Sequence, residues 1–99
     1  MIKLLWEKAA QTDREHIYHY FFKHAGILLA DKIDNRFQEL TELLQATPYS
    51  GVKVKNKENY RKLIIPNFPF FILYQINKKN NHIRILRILH TATRLASNY

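Results

Sequence analysis

His90 closes an apolar run near the end of the chain, and Arg94 follows four residues later. An imidazole at a strand end opens onto a surface and titrates near neutrality, so His90 is the best-placed general acid or base. The structural alternative is a histidine that only packs or caps there. Cations are the second chemical feature. Arg61-Lys62 lies in a strand-like run, and Lys53, Lys55 and Lys57 precede it at alternate positions. Together these side chains can hold phosphates. Asn59-Tyr60-Arg61, Phe70-Phe71, Tyr74 and Tyr99 interleave rings with the cations, a pattern on which unpaired bases can stack. Alternation along a strand turns half of those rings inward, and the pair Phe70-Phe71 reads as core.

Other chemistries lack their residues. His16 and His19 are three apart, with His24 beyond, a spacing that metal sites use. No cysteine and no carboxylate on the same face completes a ligand set, so they read as surface or half-buried histidines and no metal is expected. Gly26 and Gly51 are the only glycines, which leaves no phosphate-cradling loop and no serine elbow. No cofactor is expected.

These groups stand on 99 residues, the length of one domain, expected to span 1–99. A hydrophobic fraction of 46% with 13% aromatics predicts an ordered core. The absence of cysteine excludes a disulfide framework and fits a reducing cytoplasm. The start, Met1-Ile2-Lys3-Leu4, has no signal-peptide layout, and no run approaches the ~18–20 apolar residues that span a bilayer. No membrane partner is expected. The net charge of +8 is uneven. Residues 1–47 carry six Lys/Arg against seven acids, whereas residues 48–99 carry ten against Glu58 alone. Such a field attracts anions to the second half. The bland reading is a solvated basic face.

The elements that position these groups follow from periodicity. Residues 2–6 read as a strand. Thr12-Asp13-Arg14-Glu15 has the form of a capping box, which predicts a helix from about residue 13, or slightly earlier if Ala9 and Ala10 belong to it. Ile17, Tyr20, Phe21 and Leu28 are expected on its apolar face, and Gly26 breaks it. Ala30, Ile33, Phe37, Leu40 and Leu44 draw one stripe along a second helix that stops at Thr47-Pro48. After the turn Pro48-Tyr49-Ser50-Gly51, residues 52–59 read as a basic loop. Strand-like runs follow at 60–65, 70–76 and 83–89, joined by connections short enough for hairpins. The last, broken only by Arg84 and Arg87, reads as a central strand covered on both faces. Residues 91–99 suggest a fraying turn of helix. The expected fold is α+β: an N-terminal strand, a helical hairpin, then a three-stranded antiparallel meander, all in one sheet.

In their order and spacing, Trp6 to Ala10, Asp13 to Tyr20, Pro48 to Gly51, Tyr60 to Pro66, Phe70 to Ile76 and Ile83 to His90 with Arg94 resemble the RelE/ParE superfamily of bacterial type II toxin–antitoxin toxins. The likeness covers essentially the whole chain. It implies a toxin held inactive by a cognate acidic antitoxin whose C-terminal segment wraps it, with operator DNA touched only indirectly through the antitoxin. On this reading Lys53, Lys55, Lys57, Arg61, Lys62, Arg84, Arg87 and Arg94 are expected to bind partners. RelE-like members cleave messenger RNA on the ribosome, and ParE-like members inhibit DNA gyrase. The nuclease pattern of Lys-x-Lys, a third-strand arginine and a late arginine and tyrosine is incomplete here. Arg61-Lys62 are adjacent and so on opposite faces, Phe70-Phe71-Ile72 has no arginine, and Ala92 stands near the late arginine's place, with Arg94 and Tyr99 beyond. The resemblance is therefore closer to ParE, and gyrase inhibition by binding is the leading expectation. The alternative is a ribosome-dependent endoribonuclease with His90 as general base and Arg61 and Arg94 stabilising the phosphorane. A nucleic-acid-binding module without toxicity is the third.

Overall fold

A computed structural model describes residues 2–93. The elements run β1 (Lys3–Trp6), α1 (Lys8–Ala25), α2 (Ile27–Ala46), β2 (Val52–Lys53), β3 (Tyr60–Ile64), β4 (Phe70–Asn77) and β5 (His82–His90). The strands form one five-stranded sheet in the order β1-β5-β4-β3-β2. β1 and β5 are parallel and the other pairs antiparallel. β5 is therefore interior, as its apolar run predicts.

Three expectations change. The helix takes the earlier of the two expected starts, with Ala9 and Ala10 inside it: it begins at Lys8, directly after Glu7, so Thr12 to Glu15 lie inside it and form no cap. The reason is spatial: Glu7 donates its backbone N–H to the Ile85 carbonyl, and the chain turns straight from the sheet into the helix. Second, residues 52–59 are not all loop. Val52 and Lys53 pair with Lys62 and Arg61, which adds a short edge strand to the expected meander. Third, Tyr20 and Leu28 are 58% and 86% exposed, and Leu28 belongs to α2. Thr91 and Ala92 form a turn, and the rest of the expected terminal helix lies outside the described residues.

The α2 stripe is buried as its spacing predicts, with Ala30, Ile33, Phe37 and Leu44 at 1% exposure or less. A single residue joins the two helices. Gly26 has φ +95°, donates to the Phe22 carbonyl and accepts from the Ala30 N–H. Only glycine adopts such a backbone at little cost, and this is what lets α2 fold back on α1. The hairpin covers one face of the sheet, where Ile33, Phe37 and Leu44 meet Ile72, Tyr74, Ile76, Ile83, Ile85 and Ile88. A smaller cluster, Phe71, Leu73 and Leu89, is buried on the other face against Val54, Tyr60 and Leu86. The step from Ile85 to Ile88 reflects a bulge: Leu73 pairs with Arg87 but Tyr74 pairs with Ile85, leaving Leu86 as the extra residue. A bulge resets the two-residue alternation, and both isoleucines reach the helical side.

Candidate functional site

Alternation predicts that Arg61 and Lys62 point to opposite faces, and they do. Arg61 pairs with Tyr74 and Lys62 with Leu73, which belong to the two different clusters. Lys62 holds its Nζ 5.5 Å from the Phe71 ring centroid on the face away from the helices. Val52, opposite Lys62, and Ile64, two residues along, share that face and are exposed.

Arg61 is anchored. Its Nη1 donates to the carbonyls of Tyr49 (3.2 Å) and Gly51 (2.7 Å), and its guanidinium carbon lies 4.9 Å from the Tyr49 ring centroid. Tyr74 grips the same turn from beneath. Its hydroxyl donates to the Pro48 carbonyl (2.8 Å) and accepts the Gly51 N–H (2.9 Å). Burial pushes the Tyr74 phenol above its ordinary value, opposed by the Gly51 N–H, the Arg61 charge and Ser50. Tyr74 is thus core, not a stacking surface. Lys53, Lys57 and Lys78 surround the Tyr49–Arg61 pair at this end of the sheet, while Lys55 is exposed in the turn after β2. Tyr49 and Lys78 were legible only as turn residues. The hairpin register brings them together, and no local pattern encodes it.

Arg84 and Arg87 face carboxylates of their own chain. Arg84 is ion-paired with Glu7. Arg87 grips Asp13 as a fork, Nε to Oδ2 at 2.7 Å and Nη2 to Oδ1 at 3.0 Å. Asp13 Oδ2 also accepts the Ile88 backbone N–H (2.9 Å), on the stretch of β5 that extends past the end of β1. Asp13, which lies between Thr12 and Glu15 of the supposed capping box, therefore ties α1 to the central strand.

His90 stands elsewhere. It pairs with Phe70, lies edge-on to that ring at 6.0 Å, and its Nδ1 accepts the Ala92 N–H (3.0 Å). The Ala92 N–H thus occupies the acceptor position at Nδ1. His90 borders an apolar hollow of about 450 Å³ with His16, Ile17, Tyr20, Phe21, Pro69 and Phe70. His19 lines a different, polar hollow with Trp6, Arg14 and Asp34, so the spaced histidines do not converge. Among the described residues no group of three acidic, histidine or cysteine side chains could hold a metal ion. None of the described helices is long and apolar enough to cross a membrane.

The register also separates the nuclease candidates. His90 is opposite Phe70 and Arg61 opposite Tyr74, on strands flanking β4. Four residues along and two strands across, at ~3.3 Å per residue and ~4.8 Å per strand, put their Cα atoms about 16 Å apart. Arg94 and Tyr99 lie outside the described residues.

A family model described as the ParE toxin of the type II toxin–antitoxin system parDE matches residues 4–95. Among solved structures, the chain is similar to one titled as the chromosomal ParDE system from P. aeruginosa. That match has TM-score 0.77 and 24% identity, and covers 91% of this chain and 96% of that one. It also resembles the YoeB/ParE toxin from Agrobacterium tumefaciens (TM-score 0.63, 14% identity, 90% and 98% covered). A third likeness is to the intact E. coli RelBE toxin–antitoxin complex (TM-score 0.60, 11% identity, 95% and 100% covered). No curated protein sequence matches significantly.

Proposed function

We propose that this chain, which belongs to the ParE toxin family of type II toxin–antitoxin systems, inhibits DNA gyrase by binding it and catalyses no reaction of its own. The observation that carries this reading is the separation of His90 from Arg61. A general base and the cation that stabilises a phosphorane must both reach one phosphate, and here the register sets them about 16 Å apart at Cα. Arg61 is further held by two backbone carbonyls, and His90 by Ala92 and Phe70. β4 supplies no cation between them, since its sequence is FFILYQIN.

The toxin is neutralised in the cytoplasm by a cognate antitoxin whose acidic segment lies along the strand face away from the helices. Lys62 there is flanked by the exposed apolar residues Val52 and Ile64, a pattern that suits an amphipathic segment folding on contact. Operator DNA is reached only through that antitoxin, and no membrane is involved. The test is a supercoiling assay with purified gyrase. Inhibition by the toxin, relieved by its antitoxin, is expected, and His90→Ala retains it. Undiminished supercoiling together with messenger cleavage on translating ribosomes refutes the reading.

A further inference from the structure

At the end of the sheet remote from His90, the turn before β2, the start of β3 and the β4–β5 turn enclose a hollow of about 290 Å³, lined in part by Tyr49, Lys53, Glu58, Arg61 and Lys78. A second hollow of about 260 Å³ adjoins it through Asn59, Ile76 and Lys78, and adds Gln75, Asn77 and Lys79. The two form one groove with Lys53, Lys57, Arg61, Lys78 and Lys79 on it and Glu58 as its single acid. Lys53, Lys78 and Lys79 make no ion pair among the described residues. Tyr49 stands beside them half exposed, its ring centroid 5.6 Å from the Lys78 Nζ. The bonds from Arg61 to the Tyr49 and Gly51 carbonyls hold the guanidinium in place before any ligand arrives.

We infer that this groove binds a single strand of nucleic acid, with phosphates against Lys53, Arg61 and Lys78 and a base stacked on Tyr49. Lys53, Lys78 and Lys79, gathered on one groove with Arg61, supply attraction for any polyanion. The half-exposed Tyr49 ring adds a stacking face that a base can use and a carboxylate cannot. A duplex keeps its bases stacked inside and offers none to a concave pocket of this size. The inference goes beyond the gyrase reading and does not rest on it, since it needs neither gyrase nor antitoxin.

Fluorescence anisotropy with labelled ten-nucleotide dT and U strands, across a salt series, tests it. A poly-glutamate of equal length and a DNA duplex serve as comparisons. With three to four phosphate contacts, log K should fall against log salt with a slope of about −2 to −3. Lys53→Ala with Lys78→Ala should reduce that slope by about 1.4. Tyr49→Ala should weaken strand binding on the order of tenfold, Tyr49→Phe should restore it, and poly-glutamate should be insensitive to both. Thermal unfolding verifies that each variant is folded. Binding of either strand with these sensitivities supports the site. Affinity unchanged by the lysine pair, equal loss of poly-glutamate with Tyr49→Ala, or tighter binding of the duplex overturns it.

Discussion

Replacing Asp13 by alanine removes three bonds at once: the two from Arg87 and the one from the Ile88 N–H. The side chains of Asp13 and Arg87 are 14% and 33% exposed. Breaking a fully buried pair costs about 3–5 kcal/mol, and the partial exposure of Arg87 discounts that through solvent screening. Loss of the acceptor also leaves a backbone donor of an interior strand without its partner, worth about 1–3 kcal/mol where it is buried. The terms overlap, so the expected cost is about 2–3 kcal/mol. In a domain of 99 residues that lowers Tm on the order of 10–15 °C. Asp13→Asn keeps an acceptor for Ile88 and loses the charge, so it should cost about half as much. A double-mutant cycle with Arg87→Ala, read by urea unfolding, should give a coupling of about 1–2 kcal/mol. Additivity within about 0.5 kcal/mol would mean that Asp13 and Arg87 do not act together, and would refute the assignment of this pair as the tie between helix and strand.

Gly51→Ala should destabilise by about 2 kcal/mol or more, because a Cβ there would sit 2.7 Å from the Lys62 carbonyl and 2.8 Å from the Tyr74 ring. Chemical denaturation measures it, and a neutral result would show that the turn is not clamped. Gly26→Ala should cost about 1–3 kcal/mol from backbone strain at φ +95°, although its Cβ meets no atom within 4 Å. Burial raises the Tyr74 phenol, so its contribution is complete below the unfolded value near pH 10 and is lost as pH rises toward the folded one. Stability followed from pH 8 to 11 should therefore fall more steeply in the natural protein than in Tyr74→Phe. That variant should itself be about 1–3 kcal/mol weaker at neutral pH, through the lost bonds to Pro48 and Gly51.

Much of the fold was legible in one dimension. The α2 stripe, the Gly26 break, the stop before Pro48 and the interior place of β5 each follow from periodicity or backbone chemistry within about twenty residues. So does the placement of Arg61 and Lys62 on opposite faces, and the concentration of cations after residue 47 is simple counting. The errors share one cause. Thr12 to Glu15 match a cap locally, but β1 delivers the chain into α1 five residues sooner, and Asp13 answers to Arg87, 74 residues away. Likewise, composition alone cannot tell a two-residue edge strand from the loop around it, because its bonding depends on the partner β3.

The sequence by itself determined the class of fold, the family likeness and the half of the molecule that carries the charge, because these depend on residue type and short-range spacing. Only the tertiary structure decided which cations meet their own acids, Arg84 with Glu7 and Arg87 with Asp13, and which gather around Tyr49. It also set His90 far from Arg61. Strand register and one bulge control those meetings, and both are properties of the paired sheet, not of any single segment.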